Sequence, residues 1–252
     1  MTSLLQVAKN VVKLSDIILV VVDARQPEIT LNPLVEELAR GKKLLYVINK
    51  IDLVPEDDWK RMRRKIKPSI AVSAKLHLGT MMLLRKINEI AHGEECTVGV
   101  LGYPNTGKSS LINALKSRGS TSVSPQAGHT KALQKVRVSK TVMLIDAPGI
   151  IPRTDVNDVD QKLKHQFLGT HDVHRIKEPD LAAVRLMQEY PGLVEEYYGV
   201  PIIEDFDETL ALIAKKKGIV GPGGKGDVPR LARALIRDFQ TGKMKPATGH
   251  DW

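Results

Sequence analysis

The apolar positions along the chain change their rhythm once. Through the first 150 residues, short β-branched runs alternate with amphipathic stretches. Ile17–Val22, Leu44–Ile48, Ser69–Val72, Thr97–Leu101 and Val142–Ile145 have the length and composition of buried parallel strands. Lys135–Ser139 alternates apolar and polar, as an edge strand in a hairpin with Thr141–Ile145 would. Between these runs, Leu4–Leu14, Pro33–Arg40, Pro55–Lys67, Gly79–Ala91 and Lys108–Lys116 carry helical periodicity. Strands and helices alternating at these lengths predict an α/β doubly wound sheet.

Beyond Ile151 the strand signals stop. Gln161–Leu168, Asp180–Tyr190, Pro191–Tyr198, Phe206–Lys217 and Val228–Gln240 are helical in pattern and are separated by Pro and Gly. The boundary is expected near Pro152–Asp155. That gives an α/β domain over 1–152 and a small all-helical domain over 153–252. The Gly-rich stretch Gly218 to Gly226 between the last two helices reads as a flexible linker, with a backbone-amide anion nest as the alternative.

Composition narrows the class. At 252 residues, 42% hydrophobic and 27% charged, the chain has the makeup of a soluble globular protein. No apolar run approaches the roughly 18 residues of a membrane span, and Lys9, Lys13 and Asp16 interrupt any leader-like core. The single cysteine, Cys96, excludes an internal disulfide and reads as a small buried residue. The net charge of +9 is clustered: Lys60 to Lys67 holds six cations in eight positions, and Glu208–Trp252 holds nine Lys/Arg against four Asp/Glu. Such runs are solvated helix faces or a surface for phosphate backbones, and composition leaves both open. Aromatic content of 4% disfavours stacking on single strands and fits a reader of folded-RNA shape.

The candidate chemistry lies at the ends of the predicted strands. Gly102-Tyr103-Pro104-Asn105-Thr106-Gly107-Lys108-Ser109 follows one strand and opens a helix continued by Ser110. It matches the phosphate-binding loop in full. Glycines let backbone amides close around phosphates, the helix N-terminus adds partial positive charge, Lys108 reaches the terminal phosphates, and Ser109 offers a hydroxyl to Mg²⁺. Asp146-Ala147-Pro148-Gly149 ends the strand Val142–Ile145, 38 residues beyond Lys108. A carboxylate there meets a water ligand of Mg²⁺, and Gly149 lets an amide approach a γ-phosphate. Gly128-His129-Thr130 offers Thr130 as a second metal hydroxyl. Asn49-Lys50-Ile51-Asp52 places Asp52 where it can accept from the ring N–H and exocyclic amine of guanine. Adenine lacks that pair of donors. Ser73-Ala74-Lys75 follows the next strand and can present a backbone amide to the guanine oxygen.

Together these residues resemble the circularly permuted Ras-like GTPases, in which the base-recognition motifs precede the phosphate loop. Asp23-Ala24-Arg25-Gln26-Pro27 resembles the signature of their ribosome-assembly (YlqF/YawG-like) branch. That branch's bacterial, archaeal, nucleolar and mitochondrial members act on the large subunit. Lys217-Gly218 to Asp238-Phe239-Gln240-Thr241-Gly242-Lys243 resembles the end of its helical domain. Permutation sends the switch segment Asp146–Ile150 straight into the helical region. The resemblance implies a Mg²⁺-dependent protein converting GTP to GDP and phosphate, with Lys108, Thr130 and Gly149 as catalytic candidates. Asn105 resembles the asparagine that helps hold K⁺ in potassium-activated GTPases; a loop-shaping role is the alternative. Ile150 stands where Ras-like enzymes place a water-orienting glutamine, as in hydrophobic-substituted GTPases. The chain begins Met1-Thr2-Ser3-Leu4 and lacks the Gly-His-Met segment of some members; His129 is a candidate substitute. The expected setting is a cytoplasmic monomer, with no membrane partner, docking on the large ribosomal subunit precursor and its rRNA. The rivals are a non-hydrolysing GTP-dependent RNA-binding scaffold and a GTPase acting on tRNA or membrane partners.

Overall fold

The computed structural model describes residues 4–117, 135–150, 159–168 and 173–245. Thr130, His129 and the expected boundary at Pro152–Asp155 lie outside these residues. The chain divides into two compact units, one within Met1–Pro152 and the other within Arg153–Thr248.

In the first unit the order is α1 (Leu4–Leu14), β1 (Ile17–Asp23), α2 (Pro27–Thr30), α3 (Pro33–Leu38), β2 (Lys43–Asn49), α4 (Glu56–Lys65) and β3 (Ser69–Ala71). It continues with α5 (Thr80–Ile90), β4 (Cys96–Gly102), α6 (Lys108–Lys116), β5 (Lys135–Arg137) and β6 (Val142–Asp146). Six strands form one sheet in the order β3-β2-β1-β4-β6-β5. All pairs are parallel except β5 with β6. The sheet is the doubly wound α/β form that the alternating pattern predicts. Strand β1 is buried over its whole length, which its unbroken apolar run requires of a central strand covered on both faces. Because side chains alternate, Ile17, Leu19 and Val21 pack with Leu83, Ile87, Leu111 and Leu115 of α5 and α6. Ile18, Val20 and Val22 face the other way, onto Val11 of α1 and Val35 of α3.

Register decides where the loops gather. Asp23 pairs with Asn49, Val21 with Gly102, and Val100 with Asp146. The C-terminal ends of β1, β2, β4 and β6 therefore lie along one edge of the sheet, where open α/β sheets place their ligands. The four-residue helix α2 was not among the expected elements. It is too short to show a helical period, and Thr30 fixes it by donating to Gln26 O at 2.7 Å and accepting from Asp23 N at 3.0 Å.

The second unit contains α7 (Val159–Leu168), α8 (Pro179–Glu189), α9 (Leu193–Tyr198), α10 (Phe206–Lys216) and α11 (Val228–Gln240). Leu231, Ala232, Leu235, Ile236 and Phe239 form the buried stripe of α11. Phe239 meets Phe167 edge-on at 5.8 Å between ring centroids and Tyr190 at 5.0 Å. Asp205 caps α10, and Asp227 caps α11. The stretch Gly218 to Gly226 is not the flexible linker its composition suggests. Gly221 N–H donates to Lys225 O at 2.8 Å, Asp227 N–H donates to Ile219 O at 2.9 Å, and Val220 bridges Gly226. A Cβ at Gly226 would lie 2.9 Å from Ala214 Cβ, so the glycine allows this turn to close against α10. No helix among the described residues is long and apolar enough to cross a membrane.

Candidate functional site

The phosphate-loop sequence forms a tight ring between β4 and α6. Gly102 has φ 149°, and a Cβ there would lie 2.5 Å from Val21 O on the neighbouring strand. Asn105 and Gly107 both have positive φ, and a Cβ at Gly107 would lie 2.3 Å from Asn49 Nδ2. Thr106 Oγ1 donates to Tyr103 O at 3.0 Å and closes the ring from within. The Lys108 ammonium folds back into it, donating to Tyr103 O at 2.8 Å and Gly102 O at 3.4 Å. Burial pushes the Lys108 pKa down to about 8; Asp146 opposes that shift and Lys50 adds to it. A polyanion in the ring would relieve that desolvation by supplying the missing negative charge. Pro104 is half-buried, and Ser109 and Ser110 are exposed on the first turn of α6.

Asp146, at the end of β6, faces Ser109 directly. Ser109 Oγ donates to Asp146 Oδ2 at 3.2 Å. Asp146 Oδ1 is buried without a hydrogen-bond partner among the described residues. A hydroxyl and a carboxylate with an unsatisfied oxygen fit a hard divalent cation such as Mg²⁺. Gly149 lies against the phosphate loop so closely that a Cβ would be 2.7 Å from both Pro104 Cα and Pro104 N. Ile150 is 4% exposed and sits in the apolar cluster with Val22, Val35 and Leu101. Its N–H donates to Gly102 O at 3.1 Å, and its carbonyl accepts from Asn32 Nδ2 at 3.0 Å.

The Asn49–Asp52 segment approaches the same ring from the β2 side. Lys50 adopts φ 64°, which turns the chain into a single 3₁₀ turn over Ile51–Leu53. Asp52 is half-buried there, and its carboxylate accepts no hydrogen bond among the described residues. Asn49 joins two loops at the site. Its Nδ2 donates to Thr106 O at 2.8 Å, and its Oδ1 accepts from Ala74 N at 3.0 Å. The amide therefore ties the Ser73–Lys75 loop to the phosphate loop. The Ala74 N–H, a candidate donor to a guanine oxygen, is engaged in that tie. Ser73 is buried, and its Oγ accepts from Leu76 N at 3.1 Å, while Lys75 is exposed.

The structure thus brings Asn49, Lys50, Asp52, Ser73, Ala74, Lys75, the 102–110 segment, Asp146 and Gly149 to one sheet edge. Thr130 lies outside the described residues. Sequence reasoning missed the buried group beneath them. Asp23 receives Arg25 Nη2 at 2.8 Å and Lys50 Nζ at 2.7 Å on one carboxylate oxygen. Those cations hold its carboxyl well below the usual range despite complete burial. The available signal was a charged pair, Asp23 and Arg25, directly after an apolar strand.

In chain order, the Asn49–Asp52 and Ser73–Lys75 segments come before the phosphate ring, which Asn49 and Lys50 contact in space. Comparison with known proteins finds GTP-binding relatives over most of the chain. A family described as 50S ribosome-binding GTPase matches residues 97–205. An uncharacterized GTP-binding protein of Methanocaldococcus jannaschii is 34% identical over 249 residues, covering 95% of this chain and 65% of that protein. Nucleolar GTP-binding protein 2 of Saccharomyces cerevisiae is 32% identical over 256 residues, covering 93% of this chain and 51% of that protein. The chain therefore spans about half to two thirds of the length of these relatives. The crystal structure of GNP-bound YlqF from T. maritima superposes with a TM-score of 0.66 at 24% identity, covering 95% of this chain and 94% of that one. Residues 97–205 match that GTPase family, and the chain shares the P-loop GTPase fold of YlqF. The order of motifs along the chain places the 49–52 and 73–75 loops after β2 and β3. Permutation preserves the sheet edge and changes only the path of the chain along it.

Proposed function

We propose that this protein binds guanine nucleotides at the β1–β2–β4–β6 edge, hydrolyses GTP to GDP and phosphate, and docks on RNA of the large ribosomal subunit precursor. The observation carrying the nucleotide reading is the convergence of a phosphate ring, the Ser109–Asp146 pair and an uncommitted Asp52 on one edge. The ring amides and Lys108 hold the β- and γ-phosphates, with Lys108 exchanging Tyr103 O for phosphate oxygen. Ser109 and Thr130, with Asp146 through a water, would hold Mg²⁺, which would neutralise charge on the phosphates. Gly149 donates its amide to the γ-phosphate, and Asp52 reads the base. Asn105 is exposed with positive φ, and it would help hold K⁺ or shape the ring.

Ile150 favours a second reading, a GTP-dependent scaffold that does not hydrolyse. Its side chain is packed in the core, so the position of the Ras-like glutamine offers nothing to orient water. Single-turnover phosphate release separates the two, measured in K⁺ and in Na⁺, with and without large ribosomal subunits. We expect slow release from the protein alone, acceleration by subunits, and loss of release in Lys108→Ala. No release under any condition, with GTP still bound, would leave the scaffold reading.

Docking on RNA draws support from the basic helices. On α4, Lys60 and Arg61 are engaged by Glu56 and Asp58. Arg63, Arg64 and Lys65 are exposed and form no ion pair among the described residues. Replacing these three with alanine should flatten the log–log salt dependence of RNA binding by about 2 to 3, because each phosphate contact releases counterions. Nucleotide affinity should stay at the parent value. An unchanged slope in filter-binding titrations returns the helix to a solvated surface.

A further inference from the structure

Asp23 ends the central strand with a carboxylate that is 3% exposed and wholly committed. Its Oδ1 accepts from Arg25 N at 3.0 Å and Arg25 Nε at 3.1 Å; its Oδ2 accepts from Arg25 Nη2 at 2.8 Å and Lys50 Nζ at 2.7 Å. Lys50 Nζ also donates to Asn105 O in the phosphate ring at 2.6 Å. One ammonium therefore joins three segments: the end of β1, the base-side turn and the ring. Lys50 is a long side chain with much rotamer freedom, and desolvation disfavours its charged form. Something must hold it in place and keep it charged, and the buried carboxylate does both. The Arg25 guanidinium is 0% exposed and lies against the same carboxylate. A lone guanidinium could not be buried there.

We propose that Asp23 is a positioning residue for the nucleotide site. By holding Lys50 against the Asn105 carbonyl, it keeps the base-side turn and the phosphate ring assembled before a nucleotide arrives, with Arg25 as its buried countercharge. The proposal rests on the guanine-nucleotide reading of this edge. Neither Asp23 nor Lys50 needs the γ-phosphate for this arrangement. Loss of the contact should therefore weaken GDP and GTP by the same factor, through lost preorganisation.

The test is a double-mutant cycle on nucleotide affinity. Asp23→Asn should raise the Kd for GDP and for GTP about 10- to 100-fold, the range expected for a lost charge-assisted hydrogen bond. In a Lys50→Met background, Asp23→Asn should add little, because the residue it acts through is gone. Asp23→Asn leaves Arg25 buried without a counterion and can fail to fold. Asp23→Asn/Arg25→Met removes both charges and should fold by circular dichroism while keeping the affinity loss. Amide hydrogen exchange on the nucleotide-free protein adds a readout independent of ligand: 50–53 and 105–108 should exchange faster in the folded double variant. Parent-like affinity in that variant, losses that multiply in the cycle, or unchanged exchange would each overturn the role. A parent protein that binds no guanine nucleotide would overturn the functional reading instead, and the exchange measurement would still decide for Asp23.

Discussion

Replacing Asp52 with asparagine should turn a guanine site into a xanthine site. Asp52 sits in the Ile51–Leu53 turn and its carboxylate accepts no hydrogen bond among the described residues, while neighbouring Asn49 and Lys50 already join loops. In the proposed site, Asp52 is the residue that reads the base. A carboxylate accepts two hydrogen bonds, from the guanine ring N–H and its exocyclic amine. Asparagine at the same position offers one acceptor and one donor. Guanine then faces an amine with an amine, whereas the 2-carbonyl of xanthine accepts from the new amide. Losing charge-assisted bonds to a partly buried partner is worth about 1.5–3 kcal/mol each. GDP affinity should fall by about 10²- to 10⁴-fold, and the variant should prefer XDP to GDP. Competition of GDP, XDP and ADP against a fluorescent nucleotide reads this directly. A variant that ranks GDP first, as the parent does, would remove Asp52 from base recognition and move the search to the Ser73–Lys75 loop.

The sheet and most of its helices were legible because burial on two faces leaves unbroken apolar runs, and those runs need no knowledge of their partners. Ile17–Val22 is such a run, and the observed β1 extends it by one residue, Asp23. That extension was hidden. A buried aspartate at a strand end looks like the start of a loop unless the cations that neutralise it are known, and one of them is 27 positions away. The Gly218–Gly226 turn failed for a related reason. Glycine content reads as freedom in the unfolded chain, whereas here the glycines admit a turn held by backbone bonds and closed against α10 at Gly226.

The motif residues stood out because phosphate and metal chemistry restrict residue type at short fixed spacing. The joints between the motifs did not. Asn49 reaches Thr106 across 57 positions and Ala74 across 25, and both contacts follow from register in a parallel sheet. No local pattern encodes that register. Its one trace is that β1 and β2 are both seven-residue strands ending on a polar residue, Asp23 and Asn49, which the sheet pairs. The same register exposes a difference in how the two sides of the site are held. The Asn49–Lys50 turn is cross-linked to the phosphate ring through side chains, whereas the 147–150 segment meets it through backbone, at Gly149 and in the Ile150 N–H bond to Gly102 O.

That difference makes Gly149→Ala the substitution expected to separate GTP from GDP most sharply. The added methyl would lie 2.7 Å from Pro104 Cα and N and 2.8 Å from Pro104 Cγ. Two of these are backbone atoms, so no rotamer change can absorb the clash, and either the ring or the 147–150 segment must move. The ring is braced by Asn49 to Thr106 O, Lys50 to Asn105 O and Thr106 to Tyr103 O. The segment is held by Ala147 N–H to Val100 O at 3.3 Å, Ile150 N–H to Gly102 O and Asn32 to Ile150 O. The ties are equal in number, but the ring's include Lys50, held by the buried Asp23 carboxylate, and the segment's include no buried charge, so the segment yields first. Its displacement would strain the Ile150 contacts, and overpacking of this kind costs about 1–3 kcal/mol. A fall in Tm of about 2–4 °C per kcal/mol should accompany it. In the proposed site the amide that moves is the γ-phosphate donor. GTP affinity should therefore drop about 10- to 100-fold and single-turnover phosphate release by at least about 100-fold, the range for removing one transition-state donor. GDP binding, which depends on the braced ring, should stay within about threefold of the parent. Calorimetric titration with GDP and a non-hydrolysable GTP analogue, beside a phosphate-release assay, measures all three quantities. If GDP and the analogue weaken equally, the ring yielded and the bracing argument fails. If the variant discriminates and turns over like the parent, Gly149 does not face the γ-phosphate.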